Sequence, residues 1–380
     1  MSLDNVFNII RTDIVFTRYL YVKDEVCVAL LLAILNKKDS AIYWAYELYY
    51  SGFHNDLFTL LWQIYYDFFA TLNPEFAIYF SKKHKEWLKN ADDSIVSSIV
   101  QCLLYRPFNT DVFFLRKLTS SFQIDVEYIE DTTIYSMMEH WLNTNDYRSL
   151  GQWILYENKD IKLMDVYLHC LNYLTKKGLK VANKLIKDVS YMMDSKPICE
   201  KVILLANIMT LVSKLAQLKK GRALYITALE GDIAAFQHPT GVAHYQILSE
   251  AAIYSIDESR CLSLFKLKRH KYNLNELYWY SWEYYASFSP LWFKRIREHR
   301  GYVDYVNKKV AFIDDDDLQQ FYGLYGLEPD EQPKAVQERS IMAFEKVSNW
   351  LQFYNTFKKN GLLEVYEEEL EEWDTDGLVL

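Results

Sequence analysis

The order of apolar and polar positions near the start of the chain follows a helical spacing that short polar loops interrupt. From Glu25 to Leu35 the residues are apolar almost all round, which predicts a helix buried on every side. The polar run Asn36-Lys37-Lys38 ends this pattern. The N-terminal part is therefore predicted to consist of short helices joined by loops of a few residues.

Two further helices are predicted directly after this loop. A helix over Ala41–Tyr50 has Asp39 or Ser40 as its capping residue. Gly52 ends that helix, because glycine adopts the left-handed backbone that closes many helices. A third helix is predicted from about Asp56 to Leu72, where an Asn-Pro pair stops it.

Related loops recur further along the chain. The five residues from Leu35 to Asp39 (LNKKD) resemble the five from Leu142 to Asp146 (LNTND), and Leu229–Asp232 (LEGD) is a third variant. Each places an Asp at the start of an aromatic-rich or apolar helix. The recurrence indicates either a degenerate helical-hairpin repeat or the ordinary way in which helical proteins turn, and no strict period separates the two interpretations.

The predicted fold class is all-α, built as an array of antiparallel helical hairpins that forms a solenoid or an irregular bundle. Tyr302–Val306 and Lys309–Ile313 are the strand candidates, and they predict a small β-hairpin. We expect a helical-hairpin array over residues 1–220 and a C-terminal helical domain over residues 221–380.

Composition agrees with long helices and few turns. The chain is 51% hydrophobic and 24% charged, which excludes a disordered protein. Only 11 Gly and 7 Pro occur in 380 residues, and folds rich in tight turns need more of both. The longest apolar run, Val26–Leu35, is far shorter than the roughly 20 residues of a membrane span.

The five cysteines are widely spaced and never form Cys-x-x-Cys, so free thiols in a reducing compartment are expected. The N-terminus lacks the pattern of a signal peptide. These features predict an intracellular protein, in the cytoplasm or the nucleus.

Charge is segregated along the chain. Residues 266–309 hold ten Lys or Arg against four acids, whereas residues 310–380 hold five against seventeen. Within the basic segment, Ser289-Pro290 and Gly301 bound a predicted helix. The candidates for binding a polyanion or an acidic partner are Lys268, Arg269, Lys271, Trp292, Lys294, Arg295, Arg297 and Arg300. Phosphates, an acidic protein surface and the chain's own acidic tail, residues 364–380, are the alternative partners.

Aromatic residues make up 16% of the chain, with 31 tyrosines. Aromatic stripes at helical spacing belong first to a core, but the tyrosines exceed what one helix face can hold, which indicates an interaction surface. The interface candidates are Tyr43, Tyr46, Tyr49, Tyr50, Tyr65 and Tyr66. The leading interpretation is a non-enzymatic scaffold or adaptor that binds another protein or a second copy of itself. The alternative is a nucleic-acid-associated accessory factor for replication, transcription or packaging.

Catalytic signatures are missing from the sequence, and no cofactor is expected. The best enzymatic candidate is a loop with His238 and His244, which could shuttle protons or bind a metal. The run Asp314, Asp315, Asp316 and Asp317 could ligate a cation, but it lacks EF-hand spacing. A helix cap is the better interpretation of these aspartates, because acids oppose the helix dipole.

Two stretches resemble known families. Residues 39–74, DSAIYWAYELYYSGFHNDLFTLLWQIYYDFFATLNP, resemble the helical collar of clamp-loader-related AAA+ proteins, without any ATPase motif. The segment FYGLYGLEPDEQ, Phe321–Gln332, and the Tyr-, Asn-, Asp- and Lys-rich composition resemble uncharacterised helical proteins of nucleocytoplasmic large DNA viruses. The second resemblance implies a viral protein located in a virion or viral factory.

Overall fold

The computed structural model describes residues 14–122, 132–178, 198–213, 226, 233, 236–237, 274–325 and 349–375. Of these residues 69% are helical, and the only sheet among them is one two-stranded antiparallel hairpin. The prediction of an all-α protein with a small β-hairpin is therefore confirmed. No helix within these ranges is long and apolar enough to cross a membrane.

The chain forms two compact units, and each draws on separated stretches of sequence. Unit 1 takes residues 1–57, 227–349 and 377–380, and unit 2 takes residues 58–226 and 350–376. The boundary expected near residue 220 lies close to one of the points where the chain passes between units. At the other points where the chain passes between units, after residues 57, 349 and 376, the amino-acid composition does not change in a way that marks a boundary.

Unit 1 is built from six described helices or helix segments and the hairpin. Its elements are α1 (Lys23–Leu35), α2 (Ser40–Tyr50), the start of α3 (His54–Ile64), α11 (Leu274–Ala286), α12 (Pro290–Glu298), β1 (Tyr302–Asp304), β2 (Lys309–Ala311) and α13 (Asp315–Tyr325), with residues 236–237 helical as well.

Unit 2 holds the rest of α3, which continues as a π-helical turn over Tyr65–Phe69. Its further elements are α4 (Phe76–Asn90), α5 (Ser94–Leu104), α6 (Asp111–Ser121), α7 (Ile134–Thr144), α8 (Tyr147–Gln152) with a second π-helical turn over Trp153–Glu157, α9 (Leu163–Lys176), α10 (Glu200–Val212), α14 (Trp350–Phe357) and α15 (Glu367–Thr375).

Helices α1 and α2 form where the apolar pattern predicted them. Ten of the thirteen residues of α1 are buried, as expected for a helix that is apolar all round. The backbone at Lys37 is left-handed, with φ 58°, and turns the chain into α2. Gly52 ends α2 with φ +91°, and a Cβ there would lie 2.6 Å from Pro290 Cβ. Glycine is therefore required at position 52 both for its backbone conformation and for space.

The core of unit 1 joins the N-terminal loop to the C-terminal helices. Phe16 and Leu20 pack in one buried cluster with Trp282, Trp292 and Phe321. The Phe16 N–H donates to the Tyr285 carbonyl at 3.2 Å, which aligns the loop with α11. Residues more than 260 positions apart in sequence therefore share one core.

Helix α12 has the boundaries that its sequence predicted. The Ser289 hydroxyl accepts the N–H of Trp292 at 3.2 Å, and Pro290 takes the first helical position. At the other end Arg300 adopts the left-handed conformation, with φ 53°. The Gly301 N–H then donates to the Ile296 carbonyl at 2.8 Å, which is the hydrogen bond of a Schellman motif. Arg300, not the glycine, therefore occupies the left-handed position.

The hairpin follows directly after this helix end. Tyr302 pairs with Ala311 and Asp304 with Lys309. The turn therefore spans residues 305–308, and both strands are shorter than the predicted ranges of residues 302–306 and 309–313. Val303 and Val310 are partly buried against the core of unit 1. The opposite face of the hairpin carries the half-exposed Tyr302.

The core of unit 2 is dominated by stacked aromatic rings. Trp62 stacks on Phe80 with ring centroids 3.7 Å apart, and Phe114 stacks on Trp373 at 5.9 Å. A buried ion pair joins the π-helical turn of α3 to α6, since Arg116 Nη2 lies 2.8 Å from Asp67 Oδ2. The turn places the Asp67 side chain inside the unit, where only 2% of the residue is exposed.

The acidic C-terminal helix α15 docks within unit 2. Trp373 and Leu370 are each 1% exposed, and Trp373 lies against Trp350 at 5.1 Å. Arg148 on α8 forms two hydrogen bonds to the Glu369 carboxylate, at 2.5 and 3.0 Å. The apolar side of the predicted acidic tail is thus core, while Glu367, Glu368, Glu371 and Glu372 are exposed.

Four of the five cysteines lie in the described ranges, and all four are free thiols. Cys102 and Cys170 are buried, Cys27 is half-buried and Cys199 is exposed. Burial raises the pKa of the Cys27 and Cys170 thiols to about 12.

Candidate functional site

The tyrosines proposed as an interface are mostly core residues. Tyr46, Tyr65 and Tyr66 are at most 1% exposed, and Tyr49 is 6% exposed. Only Tyr43 and Tyr50 are half-buried. The surplus of tyrosine is accommodated because the helices are short and meet on several sides, so that one helix buries more than one face. Of the six, only Tyr43 and Tyr50 therefore keep side-chain surface that a partner could contact.

The aspartate run caps a helix. The Asp314 carboxylate accepts the Asp317 N–H at 2.9 Å at the start of α13. This N–H and then the Arg300 guanidinium lower the pKa of Asp314. Arg300 bonds Asp314 at 2.7 Å and Asp317 at 2.9 Å. Asp315 and Asp316 are exposed, and no group of metal-ligating side chains occurs among the residues described.

The basic candidates divide into different environments. Lys268, Arg269 and Lys271 lie outside the described residues, as do His238 and His244 of the proposed enzymatic loop. Trp292 is not a binding residue on the surface, since it is fully buried and its Nε1–H donates to the Thr17 carbonyl at 3.0 Å. Arg300 is largely neutralised by its two aspartates.

Exposed cations remain on α12 and the hairpin. Arg297 and Lys308 are exposed and have no ion pair with any carboxylate in the described chain. Lys294 lies 3.7 Å from Glu298, and Lys309 is the cross-strand neighbour of Asp304. Residues 290–311 carry six Lys or Arg against two acids, so the segment is net positive. We call Lys294, Arg297, Lys308 and Lys309, which lie on α12 and the hairpin, the exposed cations of unit 1; Lys37 and Lys38 before α2 are exposed as well but lie on a different element.

Arg295 lies in a different environment from its neighbours on α12. Its Cζ is 4.6 Å from the ring centroid of Trp292 and 4.6 Å from that of Tyr325. The Nη1 atom is buried and has no hydrogen-bond partner. Burial, and then the nearby charge of Arg18, lower the pKa of Arg295. A guanidinium nevertheless stays protonated in proteins, so the positive charge persists.

Arg18 and Glu47 form a buried ion pair beside Arg295, which the sequence did not predict. The Glu47 Oε2 atom lies 3.3 Å from both Nε and Nη2 of Arg18. Glu47 Oε1 accepts the Tyr19 N–H at 2.8 Å, so both carboxylate oxygens are in use. Arg18 Nη1 donates to the Phe236 carbonyl at 2.9 Å. A single Glu within the apolar run AIYWAYELYY was the available signal, because a buried carboxylate needs a charged partner.

Unit 2 has a separate open cleft of about 660 Å³. Lys159, Lys162 and Lys201 line it, and so do the first residues of α9 and α10. Neither helix has a side-chain cap at its N-terminus. Helix N-termini and lysines both favour anions, whereas Glu200 in the same lining opposes them. Lys159 and Lys162 lie in the loop before α9, whereas Lys201 lies in the first turn of α10, so no spacing in the sequence groups the three.

Comparison with known proteins yields no relative: no family model, no curated protein and no solved structure matches the chain. The resemblances of residues 39–74 to the clamp-loader collar and of Phe321–Gln332 to viral proteins stay predictions.

Proposed function

We propose that the chain is a non-enzymatic protein that binds a polyanion, with the backbone of a nucleic acid as its partner. The observation that supports this proposal is the set of exposed cations of unit 1. Arg297 on α12 and Lys308 in the hairpin turn have no carboxylate partner among the described residues, and Arg295 lies two residues before Arg297 on α12. Charges that are not neutralised within the protein contribute most to phosphate binding, because each contact releases a counterion.

The proposal is tested with labelled single-stranded and duplex oligonucleotides in fluorescence anisotropy titrations at several salt concentrations. We expect log K to fall linearly with log[salt], with a slope of about −0.7 to −0.9 per phosphate contact. The double variant Arg297→Glu/Lys308→Glu should weaken binding by more than about tenfold, since it replaces attraction by repulsion at two contacts.

The matched control is Lys82→Glu/Lys89→Glu, which makes the same change in net charge on exposed lysines of α4 in unit 2. Its effect should be much smaller than that of the pair in unit 1. Binding that ignores salt, or no binding at all, would refute the proposal. Equal losses in both double variants would show that only the overall charge matters.

A protein adaptor is the second candidate, and one observation favours it. Val306 at the hairpin tip is 90% exposed, Ile313 is 66% exposed and Leu324 is 61% exposed. Exposed apolar side chains of this size mark protein interaction surfaces when they adjoin one another. Mass measurement of the natively purified complex before and after nuclease treatment separates the candidates. A protein partner that survives nuclease and is lost with Val306→Asp supports the adaptor.

A further inference from the structure

The guanidinium of Arg295 has aromatic neighbours, and no carboxylate among the described residues lies within ion-pair distance of it. Trp292 of α12 and Tyr325 of α13 each place a ring centroid 4.6 Å from the Arg295 Cζ. Each ring therefore makes a cation–π contact with the guanidinium. Aromatic rings attract the positive charge but are poor hydrogen-bond acceptors. The two rings therefore do not satisfy the N–H donors along the edge of the guanidinium.

The charges around Arg295 do not balance. Arg18 and Arg295 lie close enough for one to affect the other, and Glu47 is the only carboxylate that pairs with either of them in the described chain. Both oxygens of Glu47 are already engaged by Arg18 and by the Tyr19 N–H. Glu298, three residues further along α12, acts on Arg295 more weakly than Arg18 does and pairs with Lys294, so Arg295 itself has no paired carboxylate in the described chain.

An unpaired, shielded guanidinium destabilises the folded chain unless an acceptor reaches it, because lost hydration is not replaced. The Nη1 atom of Arg295 is both buried and without a hydrogen-bond partner. An oxyanion would supply the missing acceptor and the missing negative charge together, and arginine binds phosphate through parallel N–H groups.

The geometry points to Arg295 as the anchor for a single phosphate group, held at its N–H edge beside the Trp292 and Tyr325 rings. This inference rests on the proposed polyanion function and assigns one defined contact within it, whereas the exposed cations act as a diffuse field. The phosphate comes either from a nucleic-acid backbone or from a free phosphate, and the experiment below has an arm for each source.

The key variant is Arg295→Lys, which keeps the charge but loses the planar set of donors. Arg297→Lys is its matched control, since it makes the same exchange on the same helix at an exposed position. The first arm compares melting temperatures in sodium phosphate and in sodium chloride at equal ionic strength. We expect phosphate to raise the melting temperature of the wild type and of Arg297→Lys, but not of Arg295→Lys.

The second arm measures oligonucleotide affinity at fixed salt. Arg295→Lys should lose about tenfold in affinity, and Arg297→Lys less than about twofold, because only the first removes a bidentate contact. A third variant, Arg295→Met, reports on folding. In chloride it should melt no lower than the wild type, because it removes a charge that has no partner.

Each outcome decides something. If phosphate stabilises Arg295→Lys as well as the wild type, or does not stabilise the wild type, the anchor is refuted. A clear fall in the melting temperature of Arg295→Met would instead assign Arg295 a structural role. If phosphate acts through Arg295 but oligonucleotides do not bind, the anchor stands and the proposed nucleic-acid function fails.

Discussion

Single buried charges account for much of what is specific in unit 1. Glu47 lies in the middle of α2, is fully buried, and holds Arg18 and the Tyr19 backbone together. Ser51 extends this arrangement, since its hydroxyl accepts the Arg18 N–H at 2.7 Å. One carboxylate therefore connects the end of the N-terminal loop to α2.

The substitution Glu47→Gln tests this connection. Glutamine keeps the shape but leaves the Arg18 charge buried without a partner, and removing one member of a buried pair costs roughly 3–5 kcal/mol. We expect the free energy of unfolding of unit 1, measured by equilibrium urea denaturation, to fall by about that amount.

The matched control in the same unit is Glu298→Gln, which breaks the exposed pair with Lys294. Both side chains of that pair are more than half exposed, at 75% and 52%, so the loss should be about 0.5 kcal/mol or less. Similar losses of stability for the two substitutions would mean that the buried ion pair of Glu47 with Arg18 does not stabilise unit 1 more than an exposed pair does.

The residue scale is also where prediction from sequence was weakest. The order of apolar and polar positions predicted α1, α2 and α3, but the same pattern could not say which tyrosines face inward. Tyr46 and Tyr50 are one helical turn apart on α2, yet the first is fully buried and the second is half-buried. Which side of a helix is covered depends on elements distant in sequence, and no local pattern contains them.

At the scale of elements, one side chain fixes the loop before α15 onto α6. The buried Asp111 carboxylate accepts the N–H groups of Leu362, at 2.9 Å, and Leu363, at 3.0 Å. A Cβ at Gly361 would lie 2.7 Å from Asp111 Oδ1, so glycine lets the loop approach. Burial raises the pKa of Asp111 to about 6, against the lowering effect of the two N–H groups.

This shift makes the stability of unit 2 depend on pH. The folded pKa of Asp111, about 6, is above its ordinary value of 3.8, which the unfolded chain keeps, so the folded state binds the extra proton. The resulting stability is complete below about pH 4 and is lost as pH rises through 6. Asp111→Asn mimics the protonated form. The wild type should lose stability between pH 4 and pH 6, whereas Asp111→Asn should not lose it through this residue. The free energy of unfolding of Asp111→Asn relative to the wild type should therefore rise over this range by about 3 kcal/mol at most.

Asp111→Leu separates titration from hydrogen bonding. Leucine offers no acceptor, so the Leu362 and Leu363 N–H groups lose their partner at every pH, and we expect a loss of about 1–3 kcal/mol per group. Parallel stability curves for the wild type and Asp111→Asn over the same pH range would contradict the raised pKa.

Element boundaries were largely predictable, because capping residues act locally. The end of α2 at Gly52 and both ends of α12 follow from serine, proline and glycine at set positions. Asp39, by contrast, makes no side-chain cap hydrogen bond at the start of α2, and the hairpin turn is longer than predicted. The π-helical turns did not follow, since nothing in Tyr65–Phe69 or Trp153–Glu157 marks an extra residue per turn. They form where tertiary packing, including the Asp67–Arg116 pair, prevails over regular α-helical spacing.

At the scale of the whole molecule, neither unit is a continuous stretch of sequence. Unit 1 combines Phe16 and Leu20 with Trp282 and Phe321, and unit 2 combines Phe114 with Trp373. Composition and charge vary along the chain, but they do not indicate which distant segments meet. The segregation of charge was visible in the sequence, whereas the pairing of Arg300 with its aspartates needed the fold.

The discontinuity predicts how fragments behave. A fragment of residues 1–226 lacks α11 to α13 and so lacks the larger part of the cluster that buries Phe16 and Leu20. We expect its N-terminal 57 residues to be cleaved rapidly in limited proteolysis, while the intact chain protects them.

Co-expression with residues 227–380 provides the control, because it restores the missing helices without a covalent link. Protection of the N-terminal segment should return in the recovered complex. Equal protease resistance in the isolated fragment and in the intact chain would show that the first helices form a stable core without α11 to α13.

The same discontinuity sets the order of events during synthesis. Phe16 emerges from the ribosome 266 residues before Trp282, an interval on the order of ten to fifty seconds at about 5–20 residues per second. The core of unit 2 is completed later still, because Trp373, which stacks on Phe114, is among the last residues to be synthesised. Apolar side chains of the nascent protein therefore remain uncovered through most of translation, and its yield in cells should depend on chaperones that bind ribosome-associated chains.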